Sequence, residues 1–124
     1  MGSHALPHAE LVITLPSATG TGDVYTIILN NDMTSTSNIV TSAASQKIIG
    51  AVYLVDSASS GNPTTFPSTG GAANQIDLHD GTDNTMGGLT GSRYKLTDIK
   101  TNRWYIESTA LYSGVVSDPF ATYA

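Results

Sequence analysis

The chain contains no cysteine. Disulfides and thiolate-bound zinc are thereby excluded, and the composition fits a product folded in a reducing cytosol. Charge is scarce too: Asp, Glu, Lys and Arg make up 12% of the 124 residues, about half the ~25% usual for a soluble domain. Positive charge is scarcest, with five Lys plus Arg against ten Asp plus Glu, a net charge of −5 and a pI of about 4.7. A surface of that sign does not neutralise phosphates, so no nucleic-acid partner is expected. No apolar run approaches the ~20 residues of a membrane-spanning helix, and no membrane partner is expected. The opening MGSHALPHAE lacks a basic segment followed by an apolar one, and is not expected to act as a secretory signal. The charged amphipathic patterns of long helices are also missing.

What is present favours strands joined by turns. Ser and Thr supply about a quarter of the chain, with 12 Gly and 40% hydrophobic residues, and a mean hydropathy of −0.04 argues against overall disorder. The length suits one domain whose core buries roughly two-thirds of the unfolded surface. Residues 1–10 read as an N-terminal arm without a fold of its own, 11–117 as a single β domain and 118–124 as a C-terminal arm.

Within the domain, Leu11 to Leu15 and Val24 to Asn30 are strongly β-forming, and Pro16 stops the first. They are expected to pair as a first hairpin, the stretch Gly20-Thr21-Gly22 being its loop. Their near-continuous apolar character suggests cover on both faces, by a second sheet on one side and a partner subunit on the other. Weaker and stronger strands are expected at 37–41 and 48–55, and Gly50 inside the latter marks a bulge or a close backbone approach. The segment 57–74 is a Ser-, Gly- and Pro-rich loop with a short extended piece at 64–66. Residues 75–79 alternate as a strand, and 109–116 add a last one. Short strands at intervals of about ten residues predict an all-β fold, an antiparallel β-sandwich or small jelly-roll-like barrel with extended arms at both ends.

The most informative stretch is 87–108, with the single Trp and four of the five basic residues. Tyr94, Leu96, Trp104 and Ile106 alternate onto one side of a hairpin whose turn spans 98–102. Arg93, Lys95, Arg103, Tyr105 and Glu107 fall on the other. The first set is core. In the second, Arg93, Lys95, Arg103 and Tyr105 form a basic, aromatic patch, since Tyr and Arg are enriched at interface hot spots. An Arg stacked on a Tyr ring at a solvated face is the plainer alternative. Phe120, isolated in a polar tail, is a further interface candidate, docking on its own domain or on a neighbouring subunit.

Catalytic and cofactor signatures are not expected. The Gly20-Thr21-Gly22 loop completes neither a dinucleotide nor a P-loop spacing, and a strand follows it. Asp77, Asp80, Asp83 and Asn84 offer oxygen ligands for calcium, but such Asp/Asn/Gly clusters more often cap their own turns. His79 lacks companions for a zinc set or a triad and reads as a strand-edge residue. Glu10, Asp98 and Glu107 could supply a glycosidase pair; an Asp98 in the turn and a Glu107 paired across strands with Arg103 or Lys95 explain two of them without catalysis.

Three motifs carry a resemblance. They are Leu15-Pro16-Ser17-Ala18-Thr19-Gly20-Thr21-Gly22 before an aromatic-containing strand, Gly87-Gly88-Leu89-Thr90-Gly91-Ser92-Arg93 followed by Leu96-Thr97-Asp98-Ile99 and Trp104, and Asp118-Pro119-Phe120-Ala121-Thr122. Over most of 11–122 the chain resembles small structural proteins of tailed bacteriophages, of the capsid decoration (cement) or head-fibre type. It departs from them at 57–74, where a shorter acidic segment is expected. The resemblance implies a non-enzymatic virion protein without cofactor, assembled in the host cytoplasm. It would bind the major capsid protein on the capsid exterior as a homo-oligomer, commonly a trimer, through apolar strand faces and extended arms. A receptor- or glycan-binding module of a tail or head fibre is the alternative, its recognition face drawn from Tyr105, Trp104 and the 57–74 loop.

Overall fold

The computed structural model describes residues 3–6 (backbone), 12–58 and 63–122. Among the described residues ten strands run in chain order: β1 Ser3–Leu6, β2 Val12–Leu15, β3 Val24–Leu29, β4 Ser37–Thr41, β5 Lys47–Asp56, β6 Thr64–Pro67, β7 Gln75–His79, β8 Arg93–Lys100, β9 Arg103–Tyr112 and β10 Phe120–Ala121. One three-residue 3₁₀ turn, Thr69–Gly71, separates β6 from β7. They form a six-stranded sheet of order β1-β3-β8-β9-β5-β6 and a four-stranded sheet of order β10-β7-β4-β2. The fold is an all-β sandwich, not closed into a barrel.

Both sheets are mixed, which corrects the antiparallel expectation. β1 pairs parallel with β3, β2 with β4, and β5 with β9 over ten residues. A parallel pair needs a long crossover, and here the chain between β5 and β9 visits the opposite sheet as β7 before returning.

The first hairpin does not form. β2 lies in the four-stranded sheet and β3 in the six-stranded one. Leu15 of β2 and Ile27 and Leu29 of β3 thus join one core from opposite layers. Within the chain the opposite sheet covers one face of these strands, while Val12 is 63% exposed and Ile28 is also open on the other. Apolar residues specified burial there, and facing sheets satisfy burial as well as in-plane pairing does.

Residues 3–6 of the expected arm lie as a strand beside β3, and Phe120–Ala121 of the C-terminal arm pair with β7. Glu10, Leu11 and residues 59–62 lie outside the described residues. The remainder of the 57–74 segment holds β6, paired antiparallel with β5. No separate strand begins at 109, because β9 runs unbroken to Tyr112.

The core lies between the sheets. Leu15, Ile39, Ile76 and Leu78 from one meet Ile27, Ile48, Leu54, Tyr94, Leu96, Trp104 and Ile106 from the other. Gly50 is a close approach rather than a bulge, for the β5–β9 register runs through it unshifted. A Cβ there would stand 2.7 Å from the Ile106 carbonyl oxygen at φ +110°. Gly50→Ala is therefore expected to lower stability by about 2 kcal/mol, through backbone strain and displacement of β9. Chemical denaturation that left the midpoint unchanged would mean the strands separate freely at this point.

Candidate functional site

The hairpin of β8 and β9 sits near the middle of the six-stranded sheet and alternates as expected. Tyr94, Leu96, Trp104 and Ile106 are buried. The indole Nε1 of Trp104 donates to the Pro16 carbonyl at 3.1 Å, and its ring lies 5.6 Å from that of Tyr25 at a 43° tilt. The Tyr94 hydroxyl donates to the Gly87 carbonyl at 2.8 Å, and burial pushes its phenol well above the ordinary range. Trp104 therefore cannot belong to a recognition face, which removes one element of the glycan-binding alternative.

Arg93, Lys95, Arg103 and Tyr105 do share the outward face of this sheet, but not as one compact patch. Arg93 is paired with Thr109, six residues along β9 from Arg103, or about 20 Å away at the usual strand rise. Lys95 is in register with Glu107, and its ammonium lies 3.6 Å from the carboxylate, the one ion pair among the described residues. Phe120 belongs to the other sheet, half-buried against the chain's own core. The own-domain alternative holds for it, and it does not extend the patch.

Register brings in cations that the sequence pattern left apart. Arg103 of β9 is flanked by Lys47 of β5 on one side and by Lys100 of β8 on the other. Three positive residues thus stand in one row across three adjacent strands. One step further along the sheet, Tyr105 lies between Ile49 and Thr97. Tyr105 is 39% exposed and Ile99, at the bulge between Asp98 and Lys100, is 42% exposed.

The tip beneath this row is tied down by a carboxylate that sequence reasoning misplaced. Asp98 is not in the turn but in β8, buried. Its oxygens accept from the Thr19 amide at 2.9 Å, the Gly20 amide at 2.6 Å and the Thr21 hydroxyl at 3.2 Å. Desolvation is the largest influence and pushes the carboxyl up, but these hydrogen bonds together outweigh it and hold Asp98 below the usual carboxylate range. Loop 16–23 is therefore a crossover wrapped on Asp98, not the loop of a hairpin. Its neighbour Gln46 accepts from the Ala18 amide at 2.9 Å and donates to the Asn102 side chain at 2.6 Å. Asn102 itself takes φ +64° at the hairpin turn, where Asn is among the few side chains that fit.

At the opposite end of the sandwich the acidic cluster caps turns. Asp80 accepts from the amides of Thr82 and Asp83, each at 2.8 Å, which lowers its carboxyl. His79 is buried, and its Nδ1 accepts from the Gly81 amide at 2.8 Å. Asp77 is raised, mainly by desolvation, against a hydrogen bond from Gln75. Among the described residues no group of three or more His, Asp or Glu is placed to hold a metal ion. Asp83, Asn84, Ser113 and Ser117 line an open cavity of about 480 Å³. No family model, curated protein or solved structure matches the chain.

Proposed function

We propose that this chain is a non-enzymatic structural protein that binds the outer surface of a tailed-phage capsid as a decoration protein stabilising the head. The observation that carries the reading is the outward face of the six-stranded sheet. It is built from paired strands, and it gathers Lys47, Arg93, Lys95, Lys100 and Arg103, all five cations of a chain with net charge −5, together with the exposed Tyr53 and Tyr105. A broad face of that kind suits another protein's surface better than a small substrate. The resemblance in the Gly87 and Asp118 motifs points the same way and favours a trimer bound to the major capsid protein. Exposed Val12 on the edge strand β2 supplies apolar surface for contact between subunits.

Co-sedimentation with expanded heads, alongside mass photometry of the free protein, tests this. Wild type is expected to bind as a trimer, and Arg103→Glu combined with Tyr105→Ala to lose at least about tenfold in affinity. A monomer that ignores heads sinks the reading. A fibre-borne glycan-binding module remains a second reading, supported by the hydroxyl- and carboxylate-lined cavity at Asp83, Asn84, Ser113 and Ser117. A defined sugar preference on a glycan array would favour it, since a decoration protein should show none.

A further inference from the structure

The row Lys47–Arg103–Lys100 is costly by itself. Like charges directly opposite each other in a sheet repel. Lys100 faces Arg103 across the antiparallel ladder, and Lys47 faces it across the parallel one. Adjacent strands lie ~4.8 Å apart, so the three Cα atoms fall within about 10 Å. Lys95 has its Glu107, but none of these three has a carboxylate within ion-pair distance among the described residues. A chain with twice as many acidic as basic residues could have interleaved them here. Local sequence that works against local stability marks a site whose compensation comes from elsewhere.

We infer that this end of the six-stranded sheet is a docking site for an acidic protein surface, with Lys47, Lys100 and Arg103 as its charged contacts and Tyr105 and Ile99 as its apolar ones. The inference deepens the reading above by assigning the partner's chemistry and the end of the sandwich that meets it, and its test requires no capsid. Carboxylates suit the row better than phosphates do. Its neighbours are an exposed tyrosine and an exposed isoleucine, which a protein surface can bury and a nucleic-acid backbone cannot. A net charge of −5 also repels a long polyanion beyond the row itself.

The site is preorganised. Asp98 fastens the crossover loop beneath it, Gln46 joins that loop to Asn102, and the Lys47 amide donates to the Asn102 carbonyl at 2.9 Å. Little ordering is left to do on binding. Asp32, Asp56, Asp80 and Asp83 lie at or beyond the strand ends of the opposite pole. The segregation of charge is partial, because exposed Asp23 shares the basic end, its carbonyl accepting from the Asp98 amide.

Amide NMR spectra of the full chain titrated with poly-L-glutamate at low salt test the inference. Shifts are expected at Lys47, Ile99, Lys100, Arg103 and Tyr105, fading as salt rises, and not at Arg93 or Tyr53. Lys47→Glu with Arg103→Glu should weaken binding about tenfold or more, whereas Arg93→Glu should leave it within about twofold. Lys100→Glu should weaken binding yet raise the thermal midpoint, because it places an opposite charge across from Arg103. Shifts that are absent, or equal losses for Arg93→Glu, overturn the proposal. Tighter binding of heparin than of poly-L-glutamate at the same residues overturns the carboxylate assignment. Poly-L-glutamate binding with no affinity for heads would instead uphold this site and count against the capsid reading.

Discussion

Trp104→Ala is expected to lower the unfolding free energy by about 4 kcal/mol, read from urea or guanidinium midpoints. Three losses combine. The indole is the largest fully buried side chain, and its removal leaves a void that neighbouring β-strands cannot collapse into without breaking ladder hydrogen bonds. Tyr25 loses its tilted ring partner, and the Pro16 carbonyl loses its donor in the loop that carries the chain from one sheet to the other. For a domain whose whole stability is typically 5–15 kcal/mol, that is a large fraction, and the variant could fail to accumulate. Trp104→Phe keeps an aromatic ring while removing the donor, and should cost about 1–2 kcal/mol. If the phenylalanine variant loses as much as the alanine one, the packing account is wrong and the Pro16 contact dominates.

Asp98→Ala should cost about 3 kcal/mol at neutral pH, because two backbone amides and a hydroxyl lose one shared acceptor. Asp98→Asn keeps the shape but offers one acceptor oxygen instead of two, and should fall between alanine and wild type. The pH dependence has a definite sign. The Asp98 carboxyl is held below its ordinary value in the folded state, so its contribution is complete above the unfolded value of about 3.9 and fades as pH falls further, through the folded value. Asp32 is lowered too, by the Thr90 amide and hydroxyl, and adds to the same acid limb. Asp77 is raised and works in the opposite direction, so Asp77→Asn should be neutral or mildly stabilising at pH 7. Stability measured from neutral pH down to about pH 2 should therefore drop less steeply in Asp98→Asn than in wild type. Parallel curves would show that the loop clamp does not depend on the charge.

The Asp98 clamp also separates what was readable from what was not. Asp98 shares its phase with Tyr94 and Leu96, so the alternation that identified the core already placed this carboxylate on the inward side. Its closeness to Asn102 in the chain points instead to the turn, where Asp commonly caps its own backbone. The Thr19 and Gly20 amides and the Thr21 hydroxyl that satisfy it sit far away in the chain, and no local pattern links a glycine loop to the carboxylate it will wrap.

The basic patch divides similarly. Alternation put Arg93, Lys95, Arg103 and Tyr105 on one face, and the pairing of Lys95 with Glu107 follows from the hairpin register. The row with Lys47 does not, since it depends on β5 lying parallel to β9.

By itself the sequence determined that this is an all-β chain and which residues of the β8–β9 hairpin enter the core, and it narrowed Gly50 to a bulge or a close approach. Each follows from a local property: β propensity, a period of two, or the lack of a Cβ. Tertiary structure alone decided that β2 and β3 face each other across the core, that β5 runs parallel to β9, and that three cations meet at one end of the sheet. A period of two states which face a residue occupies but not which strand will lie beside it. That choice is made by long-range pairing, where many registers satisfy the same local pattern and only the packed sandwich distinguishes them.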